Sequence, residues 1–199
     1  MFINCHSFHS LRYGTISVKE LVQQCAELRI SVAALTDINC ISGIYDFHRL
    51  CEKNNIRPVV GVDIRTDNKQ HYICLAKNQS GIGEINRLLT QHHCEGNDFP
   101  LHHPNLPDVF VVYPLNNYPE KLHRNEYIGI RPEEINLLIN PTLKKYIRIT
   151  ITVQVSHRCF LWNDFNFIIT ITVNSDGKNY SIIRKFHNLI NGIFADIYG

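Results

Sequence analysis

Three short segments place metal-binding or acid–base side chains at the ends of apolar runs: Asn4-Cys5-His6-Ser7, Leu35-Thr36-Asp37-Ile38-Asn39 and Val60-Gly61-Val62-Asp63. In a chain built of β-α repeats the strand ends gather on one face, so the three segments read as one site. His6, Asp37 and Asp63 are nitrogen and oxygen donors of the kind a divalent ion takes, and a strand end holds each with little freedom. The same residues have a plainer reading, in which His6 caps a turn, Asp37 caps the helix that follows it and Asp63 faces solvent. Spacing alone leaves both open.

Other groups carry less. His92-His93 and His102-His103 flank a proline-containing loop and offer imidazoles to a transition metal, although paired loop histidines are ordinarily exposed and unliganded. Lys144-Lys145-Arg148 and Arg184-Lys185 could meet phosphates, but such clusters more commonly solvate a helix face. Cys5, between two site positions, reads as a buried structural thiol. The sequence has neither a Gly-rich phosphate loop nor a Gly-x-Ser-x-Gly elbow.

The elements that must position these residues follow from periodicity. Phe2-Ile3 opens a strand. Ser17-Val18-Lys19-Glu20 is a capping box, followed at helical spacing by Leu21, Val22, Cys25, Ala26 and Leu28. Val32 to Leu35 is a buried strand, and Ser42 is placed to cap a helix whose inner face is Ile44, Phe47, Leu50 and Cys51, ended by Asn54-Asn55. Pro58 starts a strand running from Val59 to Ile64. This order, with nearly continuous apolar strands, implies parallel strands covered by helices.

Asp67-Asn68-Lys69 then turns the chain, so that Tyr72 to Ala76 returns antiparallel, and Ile82, Ile85, Leu88 and Leu89 mark a further helix. His92 to Pro107 is the longest expected loop, Val109 to Tyr113 and Tyr127 to Ile130 are strands, and Pro132-Glu133-Glu134 suits a helix start. Ile149 to Val153 and Ile169 to Val173 are identical five-residue strings twenty residues apart, alternating and β-branched, and read as two solvent-facing strands of a hairpin. Ile182, Ile183, Phe186, Leu189, Ile190 and Ile193 mark an amphipathic C-terminal helix.

Composition bounds the function. A length of 199 residues with 44% hydrophobic and 19% charged content supports one well-buried core and argues against disorder. A net charge of +2 is too small to mark a nucleic-acid surface. Seven scattered cysteines with no Cys-x-x-Cys pair fit neither a disulfide framework nor a zinc knuckle. No signal-peptide pattern or membrane-length apolar run is present, so the expectation is a reduced, cytoplasmic, soluble protein with no membrane partner.

Taken in order, His6-Ser7-x-x-Ser10-Leu11-x-x-Gly14, Glu20-Leu21-Val22 with Ala26, Leu35-Thr36-Asp37, Gly43-x-x-x-Phe47, Ile56-x-Pro58-Val59-Val60-Gly61 and Leu75-Ala76-Lys77-Asn78-x-x-Gly81 resemble one family. It is the polymerase-and-histidinol-phosphatase (PHP) domain that opens bacterial DNA polymerase III alpha subunits. Asn4-Cys5-His6-Ser7 and Leu11-Arg12-Tyr13-Gly14-Thr15 look like alpha subunits of Bacteroidetes-type bacteria. Asp108 to Pro114 and Glu126 to Glu134 continue the likeness, and nothing matches after about Asn166.

The resemblance implies an α/β fold, a distorted (β/α)7 barrel of the PHP type, with its site at the C-terminal ends of the strands. Residues 1–166 would form the PHP domain, and residues 167–199 a divergent strand and helix that complete or replace the end of the barrel. In metal-binding members the first segment is His-x-His, the second Asp-His, the third ends in Glu, and a late strand supplies Asp-x-His. Here these read Asn4-x-His6, Asp37-Ile38, Asp63 and Val155-Ser156-His157.

An isoleucine in place of a ligand removes a bond and sets an apolar group against the ion. A trinuclear site is therefore not expected. His6, Asp37, Asp63, the carbonyl of Asn4 and His157 form a vestigial set with room for at most a single weakly held Mg or Mn.

The leading expectation is thus a non-catalytic, structural PHP domain of a DNA polymerase III alpha subunit, whose partners are the rest of that subunit and replisome proteins, with DNA met only indirectly. The polymerase's palm carboxylates lie far downstream in that family, so this chain alone should not make DNA. The alternatives are a stand-alone metal-dependent phosphoesterase or 3′–5′ exonuclease using metal-activated water, and a truncated gene product whose tail was never selected for this fold.

Overall fold

The structure is a computed structural model that describes residues 4–67, 69–131 and 134, together with the strands at 148–151 and 170–172. Helix α1 (Val18–Glu27) begins where the sequence places it. Ser17 Oγ accepts from the Glu20 amide at 3.1 Å while a Glu20 carboxylate oxygen accepts from the Ser17 amide at 2.8 Å, so two orphan helix-end donors are satisfied reciprocally. Its apolar stripe, Val18, Leu21, Val22 and Cys25, is buried. Strand β1 (Val32–Leu35) follows, then helix α2 (Ile44–Lys53) and strand β2 (Arg57–Thr66), which lies parallel to β1. A helix between parallel strands is what the apolar patterning of this stretch implies.

The helix α2 start differs from expectation. Gly43, in a right-handed backbone conformation, is its N-cap, with no side-chain bond to the first turn, and Ser42 does not cap it. A Cβ at Gly43 would lie 2.9 Å from the His9 ring, so the helix start packs directly beneath the loop after His6.

Beyond the turn at Asp67, strand β3 (Lys69–Ala76) returns antiparallel to β2, as the turn signal predicts, with a register shift between Ile64 and Arg65. Helix α3 (Gln79–Glu95), capped by the Asn78 side chain on the Gly81 amide and closed by left-handed Gly96, runs further than the sequence suggests. His92 and His93 thus belong to its last turn rather than to a loop, where imidazoles meet the exposed carbonyl end favourably. Strand β4 (Val109–Pro114) lies antiparallel to β3 and parallel to β5 (Glu126–Ile130).

Backbone strands β6 (Arg148–Ile151) and β7 (Thr170–Thr172) extend this mixed α/β sheet in the order β1-β2-β3-β4-β5-β6-β7. β6 is parallel to β5, and the two repeated Ile-Thr strings pair antiparallel, Ile149 opposite Ile171. The expected Phe2-Ile3 strand, the helix start at Pro132-Glu133, the Lys144-Lys145 and Arg184-Lys185 clusters, His157 and the C-terminal helix lie outside the described residues.

The sheet separates two apolar layers. On one face Val60, Val62, Ile64, Tyr72, Cys74, Val109, Val111 and Tyr113 pack with Ile85, Leu88 and Leu89 of α3. On the other, Ala34, Val59, Ile73, Leu75 and Val112 form a smaller layer. A third cluster seals α1 and α2 onto β1 through Leu21, Val22, Phe47 and Cys51, and includes fully buried Cys5. Because side chains alternate along a strand, Asp63 shares the face of Val59 and of its partner Ile73.

Candidate functional site

The strand-end residues do converge. Parallel pairing continues past β1 as the bridge between Ile38 and Asp63, with the Asp63 amide donating to the Asp37 carbonyl at 3.1 Å and the Asn39 amide to the Asp63 carbonyl at 3.0 Å. The N-terminal segment joins on the other side, where the Thr36 amide donates to the Cys5 carbonyl at 2.9 Å. His6, Asp37 and Asp63 are all buried. The plainer expectation for the two aspartates is overturned, since Asp63 is 0% exposed and Asp37 caps no helix.

His6 Nε2 lies 3.1 Å from Asp63 Oδ2. The same oxygen accepts from Arg65 Nε at 2.9 Å and Nη2 at 2.7 Å, and Oδ1 accepts from Gln70 Nε2 at 2.9 Å. Arg65 reaches back because the β2–β3 hairpin opposes it to Gln70 beyond the register shift, and because Asn39 grips its backbone on both sides. Arg65 N donates to Asn39 Oδ1 at 2.9 Å, and Asn39 Nδ2 donates to the Arg65 carbonyl at 2.7 Å. The guanidinium sits 4.5 Å from the Tyr13 ring centroid, a cation–π contact, and that ring meets His6 edge-on.

Electrostatically the pair is self-sufficient. Burial alone would push the Asp63 carboxyl up, but the His6 and Arg65 hydrogen bonds outweigh it and hold the group below the usual carboxylate range. Burial alone would likewise lower the Arg65 pKa, and the Asp63 bond raises it instead.

Asp37 is equally engaged. It accepts from the Ser7 amide at 2.6 Å, Ser7 Oγ at 2.8 Å and Ser10 Oγ at 2.6 Å, while Ser10 Oγ accepts from the Ile38 amide at 3.0 Å. Asn4, the candidate carbonyl ligand, accepts from Thr36 Oγ1 at 3.0 Å. The structure thus brings His6 and Asp63 into contact, sets Asp37 and Asn4 in adjoining networks, and leaves His157 outside the described residues. Arg65 and Gln70 are the partners that sequence reasoning missed, while Ser7, Ser10 and Asn39 lie within the segments it singles out but are given no role. Their types are unremarkable in a sequence, and only the hairpin register and the folded 7–14 loop bring them to the carboxylates.

A divalent metal in this cluster would need free carboxylate lone pairs and room beside them. The donor set does not fit one as it stands. A protein cation already contacts Asp63 Oδ2, hydroxyls and an amide hold Asp37, and Ile38 stands beside Asp37. His6 Nδ1 is buried without a hydrogen-bond partner among the described residues.

The cysteines among the described residues show no catalytic arrangement. Burial pushes Cys25 up to about 11 and Cys51 up to about 12, which keeps both protonated and unreactive at neutral pH.

Fold and site together define an α/β protein with a polar cluster at its strand ends. Residues 3–126 match the PHP domain family, and the chain belongs to that family. Over 108 residues it is 31% identical to the DNA polymerase III subunit alpha of Chlamydia muridarum, a stretch that is 47% of this chain and 9% of that protein. It is 30% identical over 91 residues to the error-prone DNA polymerase of Symbiobacterium thermophilum, covering 46% of this chain and 8% of that protein. The matched segment therefore spans less than a tenth of the length of these relatives.

Among solved structures, a Bifidobacterium adolescentis protein described as a metal-dependent phosphoesterase is similar at a TM-score of 0.37 and 20% identity, covering 45% of this chain and 32% of that one. An amidohydrolase from Chromobacterium violaceum is similar at a TM-score of 0.38 and 18% identity, with the same coverage of 45% and 32%. No helix among the described residues is long and apolar enough to cross a membrane.

Proposed function

We propose that this chain is the PHP module of a DNA polymerase III alpha-type polypeptide, and that it serves DNA replication as a structural and partner-binding domain rather than as a phosphoesterase. The observation that carries this reading is Arg65, whose guanidinium makes a two-pronged contact with the carboxylate oxygen that a metal would otherwise take. A fixed organic cation neutralises Asp63 but supplies no open position at which water could be activated. Asp37, held by Ser7 and Ser10, supports the same reading, because its hydrogen bonds fasten the 7–14 loop onto β1.

In this reading residues 1–166 are the PHP module, of the distorted (β/α)7 type, and residues 167–199 a divergent tail. His6, Asp37, Asp63, Asn4 and His157 are vestiges of a ligand set that holds at most one weak Mg or Mn. The setting is cytoplasmic and bacterial, and the partners are the rest of the polymerase subunit and replisome proteins. Phe8 and Leu11, 49% and 85% exposed on the loop that covers the cluster, supply apolar surface for such a contact.

The test is Mg and Mn content by elemental analysis, with Mn-dependent hydrolysis of a chromogenic phosphodiester and His6→Ala as control. The expected result is neither stoichiometric Mg or Mn nor hydrolysis. Stoichiometric Mn together with hydrolysis that disappears in His6→Ala would establish a phosphoesterase instead.

A further inference from the structure

The sheet's other face carries a second group of ligating side chains. Val111 and Glu126 are partners across β4 and β5, and Tyr113, on the same face as Val111, donates its hydroxyl to Glu126 Oε1 at 3.2 Å. Glu126 therefore lies on the α3 side of the sheet, whereas Asp63 shares the opposite face with Ile73. The two clusters are separate.

Glu126 is a buried carboxylate, its side chain 3% exposed, at the start of a strand. Two loops bring imidazoles to it. His103 comes from the 96–108 connection, where its backbone takes a left-handed φ of 51°, and its Nδ1 lies 2.9 Å from both carboxylate oxygens. His123 comes from the β4–β5 connection. Its amide donates to Glu126 Oε2 at 2.8 Å and its Nδ1 lies 3.7 Å from Oε1. The two rings stack, with centroids 4.1 Å apart.

One nitrogen from each ring and one carboxylate oxygen all lie within 4.8 Å of one another. Bonds of about 2.1 Å in tetrahedral geometry put ligand atoms about 3.4 Å apart, so shifts within side-chain reach would close the group around an ion. The hydroxyl of Tyr113 is placed to orient the carboxylate from behind, as outer partners of metal ligands do. Close by, His102 Nε2 is buried without a hydrogen-bond partner among the described residues, its ring 6.4 Å from that of His103.

We propose that His103, His123 and Glu126 form a site for a borderline transition-metal ion of the Zn2+ class, one that ties the 96–108 loop and the β4–β5 connection to the edge of β5. Two imidazoles and one carboxylate match the preferences of Zn2+ and are a poor set for Mg2+, which takes oxygen ligands and retains its water. The ion here would clamp two loops to one strand, and its consequence is stability.

The test titrates the full chain with Co2+, a spectroscopic substitute for Zn2+, and follows the visible bands of a four-coordinate ion. Zn2+ competition and thermal melts with and without Zn2+ accompany it. One equivalent should bind and Zn2+ should raise the Tm. His123→Gln, at a side chain 60% exposed and so with a small effect on folding, should weaken binding by roughly tenfold or more and abolish the Tm rise. Tyr113→Phe should weaken binding by about tenfold through the lost carboxylate bond. Asp63→Asn should leave the Co2+ spectrum unchanged, which separates this site from the strand-end cluster. Absence of saturable binding, binding indifferent to His123→Gln, or binding lost only in His92→Gln or His93→Gln would overturn the assignment.

Discussion

Arg65 lies two residues beyond Asp63 on β2 and sets both Nε and Nη2 on a single carboxylate oxygen, at 2.9 and 2.7 Å, with the Asp63 side chain fully buried and that of Arg65 10% exposed. A strand makes this possible because alternate residues share a face. The Asn39 side chain, bonded to both sides of the Arg65 backbone, fixes the angle.

Removing the cation should expose how much the cluster depends on it. Arg65→Ala leaves a buried carboxylate with only His6 and Gln70, and breaking a buried pair from one side costs about 3–5 kcal/mol. Urea denaturation of the full chain should register a loss of that order. A loss below about 1 kcal/mol, the level of an exposed pair, would mean that Arg65 does not neutralise Asp63 in solution.

Asp37 makes a separate prediction, because its three donors come from the loop rather than from a cation. Asp37→Ala strands the Ser7 amide and hydroxyl and the Ser10 hydroxyl, and each unsatisfied buried group costs about 1–3 kcal/mol, so a total of at least about 3 kcal/mol is expected. Hydrogen exchange should show faster exchange at the amides of residues 7–14 in that variant. Unchanged protection there would show that Asp37 does not hold the loop.

Gly14 is where that loop closes. A Cβ at position 14 would overlap the Ser7 carbonyl oxygen, a backbone atom that cannot turn aside. Gly14→Ala should therefore destabilise by about 1–3 kcal/mol, as overpacking does, and should weaken the Asp37 network with it. In a double-mutant cycle with Ser10→Ala the double variant should lose less than the sum of the two single losses; full additivity would place Gly14 outside the network.

Much of this could be read from residue types and periods. The capping box at Ser17 and Glu20, the return of Tyr72 to Ala76 and the helix through Ile85 and Leu89 depend on local chemistry, which a sequence carries openly. The contact of His6 with Asp63, 57 residues apart, depends instead on the pairing of strand ends, which the apolar strand order suggests. The partners that hold Asp63 and Asp37 were not legible. Gln70 meets Asp63 only because a register shift sets it opposite Arg65, and Ser10 meets Asp37 only because the 7–14 loop folds back on itself. Glu126 was silent for a similar reason, since its meeting with His103, 23 residues earlier, depends on the parallel register of β4 and β5. The start of α2 misled because Ser42 is a good capping residue one position too early.

Cysteine chemistry offers a check on the packed interior. Cys25 and Cys51 are buried and pushed up to about 11 and about 12, while Cys94 is exposed on α3. Peptide-resolved alkylation of the native chain at neutral pH should label Cys94 rapidly and leave Cys25 and Cys51 unmodified until denaturant is added. Early labelling of Cys51 would place the α1–α2 layer in local opening rather than in a stable core.

The depressed Asp63 carboxyl should leave its mark on acid stability. At pH values above the usual carboxylate value of 3.8 the group is ionised in both states, and its bonds to His6 and Arg65 contribute in full. As the pH falls through that value the unfolded chain takes up the proton first, so stability declines until the folded carboxyl protonates at its lower pKa. One such group adds a slope of at most about 1.4 kcal/mol per pH unit within that window. Asp63→Asn removes it, so the stability gap between the native chain and the variant should be flat above about pH 5 and narrow on acidification. Parallel curves down to the acid limit would show that Asp63 has an ordinary pKa and that the buried ion pair is absent in solution.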